Sequence, residues 1–345
     1  MKYLIVGPSW VGDMVMAQTL FIAIKQQYPD AIIDILAPAW SLPIIERMPE
    51  VRRGIDMPLG HGKLNLGVRK TLGQSLQSEG YTHAITLPGS FKSALVPFWA
   101  KIRHRIGWRG EMRYGLLNDL RILDKAKYPL MVSRYVALAY PKNAQLPPLP
   151  KPCFKVNPNN VHKALKAYGL NDQKPILALC PGAEFGPSKR WPAAHFAEVA
   201  QAKIAQGWQV WLFGSEKDAP GNHDILQGLP VASQSECINL AGRTTLADAV
   251  DLMSLAKAVV SNDSGLMHIA AALNRPLVAV YGSTSAEHTP PMNDQKEILS
   301  LNLECSPCFK RDCPLRHGNC MKQLEPVRVL NALNNLEINN KREAP

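Results

Sequence analysis

The chain has 345 residues, 46% of them hydrophobic, and Lys and Arg outnumber Asp and Glu by 39 to 28, for a formal net charge of +11. That size and apolar content exclude a disordered tail, a fibre or a small disulfide scaffold and leave room for two domains of ordinary size. The seven cysteines are odd in number and follow only a four-residue apolar run at 3–6, so a reduced, cytoplasmic setting is expected; no run approaches the roughly 18 apolar residues of a membrane span, so any membrane contact is expected to be peripheral.

Residues 2–6 read as a strand, 14–28 as a helix with an apolar stripe at Met14, Ala17, Phe21, Ile24 and Tyr28, and 32–36 as a second strand after Pro29 and Asp30 stop the helix. In this opening βαβ unit the first turn is Gly7-Pro-Ser-Trp-Val-Gly12-Asp13. Its glycines are five apart, which fits neither the dinucleotide G-x-G-x-x-G nor the phosphate loop G-x-x-x-x-G-K-[ST]. Asp13 falls at the start of the helix, where the dipole keeps a carboxylate ionised. Alone it reads as a first-turn charge; it becomes a candidate base only where a substrate hydroxyl is brought to it.

Residues 84–87 read as a strand ending in Pro88-Gly89-Ser90, and 93–100 as a helix. From 92 to 134 there are ten Lys or Arg against three acids. Unless this is only a solvated face, its partner is anionic: nucleic acid, acidic lipid head groups or phosphorylated glycan. Arg103, Arg105 and Arg109 are its candidate contacts. Six prolines between 140 and 160, with no glycine, read as a semi-rigid connector between domains.

The pattern then restarts. Residues 176–180 form an expected strand, 181–191 a long turn holding Gly182, Gly186, Lys189 and Arg190, and a helix opens at Pro192. The strand 209–213 ends in Gly214-Ser215-Glu216, and a short strand at 239–242 precedes Thr244 and the helix 246–256, opened by a capping-box-like Thr245-x-x-Asp248. An apolar run at 258–260 reads as a buried strand and 269–273 as the body of a helix, so 261–265, Ser-Asn-Asp-Ser-Gly, must be the turn between them. There Asp263 or Ser264 can cap the helix, Gly265 lets the backbone approach a ligand, the first-turn N–H groups suit an anion, and His268 lies near the same mouth. In a doubly wound domain the first turn faces phosphate and an acid after the second strand binds ribose hydroxyls; Lys189 and Glu216 occupy those two positions. A strand at 277–281 closes in Gly282-Ser283-Thr284, and an amphipathic tail at 326–338 is expected to pack back on the body. Between them, Cys305-x2-Cys308-x4-Cys313-x6-Cys320, with His317 inside, is compatible with a structural zinc loop or with free, redox-sensitive thiols. Neither supplies an open catalytic position.

Three segments carry a resemblance: Gly7-Pro-Ser-Trp-Val-Gly12-Asp13-Met, Gly186-Pro-Ser-Lys189-Arg-Trp191-Pro, and Ser261-Asn-Asp263-Ser-Gly265-Leu-Met-His268-Ile-Ala-Ala-Ala. Together they resemble the ADP-heptose lipopolysaccharide heptosyltransferases of glycosyltransferase family 9, over nearly the whole chain, and most closely the branch that adds the second heptose of the inner core. The resemblance implies an α/β protein of two facing Rossmann-like domains of GT-B type with an interdomain cleft: 1–155 for the acceptor, 160–325 for the nucleotide sugar, and 326–345 as a C-terminal helix or tail. It implies ADP-heptose as donor, an anionic inner-core acceptor, and work at the inner face of the cytoplasmic membrane. Asp13 then resembles the general base, Lys189 a diphosphate or sugar contact, Glu216 the ribose ligand, Thr244 part of the adenine pocket, and Asp263, Ser264, Gly265 and His268 the pyrophosphate and heptose site. No acidic D-x-D pair is present, and neither a metal nor another cofactor is expected in turnover. The competing readings are another GT-B transferase or a nucleotide-sugar epimerase, and a basic nucleic-acid-binding protein, against which stands the lack of a recognisable nucleic-acid module.

Overall fold

The structure, a computed structural model, describes residues 1–60 and 62–343; the last two residues of the expected tail lie outside the described residues. Contacts divide the chain after Phe154 into two units. In the first, β1 (Lys2–Val6), β2 (Ile32–Ala37), β3 (Arg53–Asp56), β4 (His83–Thr86), β5 (His104–Trp108) and β6 (Asp119–Arg121) form a parallel sheet in the order β3-β2-β1-β4-β5-β6. In the second, β7 (Ile176–Cys180), β8 (Gln209–Leu212), β9 (Cys237–Asn239), β10 (Ala258–Asn262), β11 (Leu277–Val280) and β12 (Lys296–Leu299) are parallel in the order β12-β11-β10-β7-β8-β9. Counted within its own unit, each sheet runs 3-2-1-4-5-6, the doubly wound Rossmann order, as expected for an α/β protein of this kind. Its consequence is positional: strand order reverses between β1 and β4 and between β7 and β10, and ligands of such sheets bind outside the carboxyl ends at that reversal.

The central strands are those most apolar in sequence. β7, β10 and β11 are buried along their whole length, as parallel strands covered on both faces must be. Helix α1 (Val11–Gln27) begins earlier than its apolar stripe suggests and shows no stripe in burial, with Met14 to Leu20 all buried. The cause is its cover. The helix Met131–Val136 packs against it, and Gln18 clasps Cys153, donating to its carbonyl at 2.8 Å and accepting from its N–H at 3.0 Å. Gly7 keeps the entry to α1 tight, since a Cβ there would lie 2.7 Å from Met14 Cε.

The basic stretch is structured, which its charge concealed. It contains β5, β6 and the helix Met131–Val136, and four of its guanidinium groups act as internal clamps on backbone carbonyls. Arg105 donates to Leu116 and Ile102 at 2.6 Å, Arg113 to Pro88 at 2.6 Å, Arg121 to Ala137 and Tyr140 at 2.8 and 2.7 Å, and Arg134 to Tyr128 at 2.9 Å. Multiple fixed N–H donors make Arg, unlike Lys, suited to gathering several carbonyls at once. The proline-rich segment is likewise not all connector: the helix Pro158–Tyr168 starts inside it, with Pro158 at a first helical position and Asn157 capping the Asn159 N–H at 3.0 Å.

In the second unit the helix Pro326–Glu343 packs on the helix Ala193–Ala205 and on β11 and β12. It buries Val329, Leu333 and Leu336 in the same core as Leu177, Val210 and Val260. Lys203 lies fully buried beneath it, its ammonium paired with Glu337 and 4.6 Å above the Trp208 ring. Among the described residues no helix is long and apolar enough to cross a membrane.

Candidate active site

At the reversal point of the second sheet, the turns after β7, β10 and β11 converge on one carboxylate. Asp263, directly after β10, is nearly buried, and its Oδ2 accepts from Lys189 Nζ at 2.6 Å and from Thr284 Oγ1 at 2.6 Å. Lys189 also lies 5.0 Å over the Phe185 ring. The ammonium also donates to the Asp263 carbonyl at 3.5 Å; fixed in this way on one side and by an aromatic face on another, it has its direction set before any ligand arrives, and its remaining N–H group is available to an anion.

The turn that carries Lys189 is held by a residue the sequence did not single out. Asn262, the last residue of β10 and fully buried, accepts from the Trp191 N–H at 3.2 Å and donates from Nδ2 to the Pro181 carbonyl at 2.6 Å. It thus spans the two ends of the 181–191 turn. Trp191 is anchored in turn by its indole N–H, which donates to the Leu324 carbonyl at 2.7 Å. Replacing Asn262 with Ala would strand a donor and an acceptor, and at roughly 1–3 kcal/mol for each buried group left unpaired the variant is expected to lose about 2–6 kcal/mol in denaturant unfolding. A loss under 0.5 kcal/mol, within the range of an ordinary surface change, would show the bridge to be dispensable.

The helix Gly265–Ala272 opens at this same point with Ser264 as its N-cap, and no side chain caps it. Asp263 and Ser264, both expected as possible caps, are otherwise engaged: Asp263 by Lys189 and Thr284, and Ser264 by Ser261, Oγ to Oγ at 3.2 Å. The first-turn N–H groups and the positive end of the helix dipole therefore face outward beside an ammonium, which is an anion site by construction. Gly265, the first helical residue, keeps that mouth clear of side chain.

His268, one turn further in, is buried. Burial pushes its pKa down to about 4, with Lys189 adding to the effect and Asp263 opposing it, so at neutral pH it acts as an uncharged hydrogen-bonding group. The unfolded chain binds this proton near pH 6.5 and the folded one only near pH 4, so acidification favours unfolding across that window. Between pH 7.5 and 5.5 the linkage is worth about 1.4 kcal/mol. Denaturant unfolding at the two pH values is expected to show that loss in the wild type and a smaller one in His268→Gln; equal losses would contradict the assignment.

The two remaining donor-site candidates follow the neighbouring strands. Glu216 stands exposed after β8, and Thr244 is half-buried after β9. Their loops touch through Gly242, which has a φ of +70° and where a Cβ would lie 2.8 Å from Glu216 Cα. Arg190, by contrast, turns aside to Asp218 at 3.5 Å.

In the first unit Asp13 sits in the first turn of α1, half-buried, behind exposed Ser9 and Trp10. The buried hydroxyl of Tyr135, on the helix packed against α1, has its pKa raised by burial first and then by the Asp13 carboxylate. The three candidate arginines are separated by the strand that carries them. Arg109 is exposed at the carboxyl end of β5, on the edge where Asp13 lies, whereas Arg103 precedes β5 at its amino end. Arg105 is clamped to backbone carbonyls and lies 5.7 Å from the Phe98 ring. Of these three candidate acceptor contacts, strand direction thus puts Arg103 at the edge opposite Asp13, and Arg105 spends its guanidinium on backbone carbonyls.

The chain matches the profile of glycosyltransferase family 9 (heptosyltransferase) over residues 69–318. It is 51% identical over 342 residues to lipopolysaccharide heptosyltransferase 2 of Escherichia coli, covering 97% of this chain and 98% of that one. The chain belongs to glycosyltransferase family 9. To lipooligosaccharide heptosyltransferase 2 of Haemophilus influenzae this family 9 enzyme is 53% identical over 346 residues, 97% of this chain and 99% of the other. The solved structure of the Escherichia coli ADP-heptose lipopolysaccharide heptosyltransferase II superposes with a TM-score of 0.89 at 47% identity, covering 99% of this chain and 100% of that one.

Two residues of this candidate site carry no motif in the sequence: Thr284 reads only as the end of a strand, and Asn262 only as the residue before Asp263. The available signal was chemical: each is a polar side chain at the carboxyl end of an otherwise apolar parallel strand, where polar groups face the ligand edge.

Proposed function

We propose that this glycosyltransferase transfers L-glycero-D-manno-heptose from ADP-heptose to the first heptose of the lipopolysaccharide inner core, with inversion, at the inner face of the cytoplasmic membrane. The observation that carries the reading is the Lys189–Asp263–Thr284 cluster beside an uncapped helix N-terminus, in a chain about half identical to lipopolysaccharide heptosyltransferase 2 of Escherichia coli.

In this reading the ADP diphosphate lies on the Ser264 and Gly265 amides with Lys189 against it. Glu216 accepts from the ribose hydroxyls, Thr244 lines the adenine, and neutral His268 holds the heptose or diphosphate by hydrogen bonding. Asp263 orients Lys189. The acceptor hydroxyl attacks the heptose anomeric carbon as Asp13 takes its proton. A new carbon–oxygen bond forms while the bond to the diphosphate breaks, and its electron pair leaves on the β-phosphate oxygen. Lys189, the amides and the dipole stabilise that charge as it develops. Arg109 is kept as an acceptor contact; Arg103 and Arg105 are not. The nucleic-acid reading is dropped because four of the arginines that suggested it clamp the fold internally.

The test is incubation of the protein with ADP-heptose and monoheptosylated Kdo2-lipid A, followed by mass measurement. One added heptose on that acceptor, and none on the acceptor lacking heptose, is the expected result. Heptose added to the unheptosylated acceptor instead, or no transfer to either, would overturn the reading.

A further inference from the structure

The loop between β12 and the short helix Asn319–Lys322 takes no part in the chemistry above, yet it is built into the donor site. Its residues 300–318 contain neither helix nor strand; Leu301 and Leu303 at its start are half-buried, but beyond them its larger apolar side chains, Phe309 and Leu315, are 53% and 58% exposed. A long stretch with no regular structure and little apolar burial needs some other tie. What it turns inward is sulfur. Cys305, Cys308, Cys313 and Cys320 are all half-buried, and with His317, Ser188 and Ser283 they line one small pocket. A turn at 313–318, with left-handed φ at Arg316 and Gly318 of 59° and 64°, aims the Gly318 N–H at Cys313 Sγ, 3.4 Å away. His317 is held aside, its Nδ1 accepting from the Asn319 N–H at 2.9 Å.

The loop also grips the residue preceding each of the two donors on Asp263. Ser188, before Lys189, donates its N–H to the Arg311 carbonyl at 3.1 Å and its hydroxyl to the Lys310 carbonyl at 2.5 Å. Ser283, before Thr284, accepts from the Phe309 N–H at 2.7 Å. Arg311 Nε donates to the Phe185 carbonyl at 2.8 Å, and a Cβ on Gly186 would lie 2.5 Å from the Arg311 carbonyl oxygen. Any movement of the loop is therefore passed to Lys189 and Thr284.

We propose that Cys305, Cys308, Cys313 and Cys320 bind one thiophilic divalent metal ion of the zinc class, and that this ion fixes the loop bracing Lys189 and Thr284. Four thiolates in a tetrahedral set with no open position are the ligand field of a structural zinc ion, at sulfur–metal distances of about 2.3 Å. Among the described residues no three ligands are already drawn together to hold an ion. Binding therefore closes the loop as it occurs, each ligating thiol giving its proton to solvent, which is the usual coupling of metal binding to local folding. The metal site stands on the loop alone; its effect on the donor rests on the function proposed above.

Metal analysis of the whole protein, purified without added metal, is expected to give about one equivalent of zinc per chain. Stripped protein given Co2+ is expected to show the intense visible absorption of a tetrahedral cobalt–thiolate centre, and the Cys308→Ser, Cys313→Ser double variant to show neither metal nor absorption. Should that variant misfold, the wild type still decides. Protein as purified with no bound metal and four reactive thiols, or with a mass showing these cysteines paired as disulfides, or a cobalt spectrum without thiolate bands, overturns the site. The brace is read separately by calorimetry with ADP, which needs no acceptor and no turnover. Stripped enzyme is expected to bind ADP about tenfold more weakly and to recover on adding zinc, while unchanged ADP affinity overturns the brace. Failure of heptose transfer would leave both metal readouts unaffected.

Discussion

Asp13→Asn is expected to lower turnover by about 10²- to 10⁴-fold, the usual cost of removing a general base, with ADP affinity unchanged. The separation of effects follows from position. Asp13 lies in the first turn of α1, in the unit that ends at Phe154, whereas Lys189, Asp263 and Thr284 belong to the other unit. Asn preserves the shape of the side chain but has no basic oxygen for the acceptor proton. It also gives up the attraction between a carboxylate and the helix N-terminus, which is worth about 0.3–1 kcal/mol and is too little to unfold a domain of this size. Calorimetry with ADP and initial rates at saturating acceptor test the two halves of the statement. Near wild-type turnover in Asp13→Asn would remove Asp13 from the chemistry and return it to a first-turn charge.

How much of this was legible in the sequence depended on burial. β1, β7, β10 and β11 announce themselves because a parallel strand covered on both faces is a continuous apolar run. β3, with the sequence Arg-Gly-Ile-Asp, and β12, Lys-Glu-Ile-Leu, lie at sheet edges, half in solvent, and carry no such run. β5 was hidden differently: His104 and Arg105 made it look like part of a charged surface, when Arg105 is a clamp. Charge counting cannot distinguish a guanidinium offered to a ligand from one satisfied by carbonyls. The turns of the candidate donor site stand out in the sequence, since Gly, Ser and Asp at the ends of apolar runs mark the ligand edge of a parallel sheet. Their pairing does not. Lys189 meets Asp263, and Trp191 meets Asn262, only because β10 lies beside β7 in the sheet, an adjacency set by the winding of the whole unit.

That pairing would make the proposed donor site non-additive, and Lys189→Ala is expected to show it. The variant should lower turnover by about 10²- to 10³-fold, as loss of a preorganised donor to a developing charge typically does, and should weaken ADP binding by about 1–3 kcal/mol. Part of that loss would come from what is left behind. Without the ammonium, the Asp263 carboxylate, only 6% exposed as a side chain, keeps Thr284 as a donor but faces the incoming diphosphate as a like charge. Asp263→Asn alone retains the lysine for the diphosphate and removes the group that aims it, so its effect on ADP affinity is expected to be the smaller of the two. The double variant lacks both the attraction and the repulsion. It is therefore expected to bind ADP more tightly than Lys189→Ala, with a coupling of roughly 0.5–3 kcal/mol, the range found for residues in direct contact. Dissociation constants for ADP across the four proteins complete the cycle, measured where unfolding curves show each of them folded. Strictly additive losses would mean that Asp263 does not act on the diphosphate through Lys189, and that the two residues contact the donor independently.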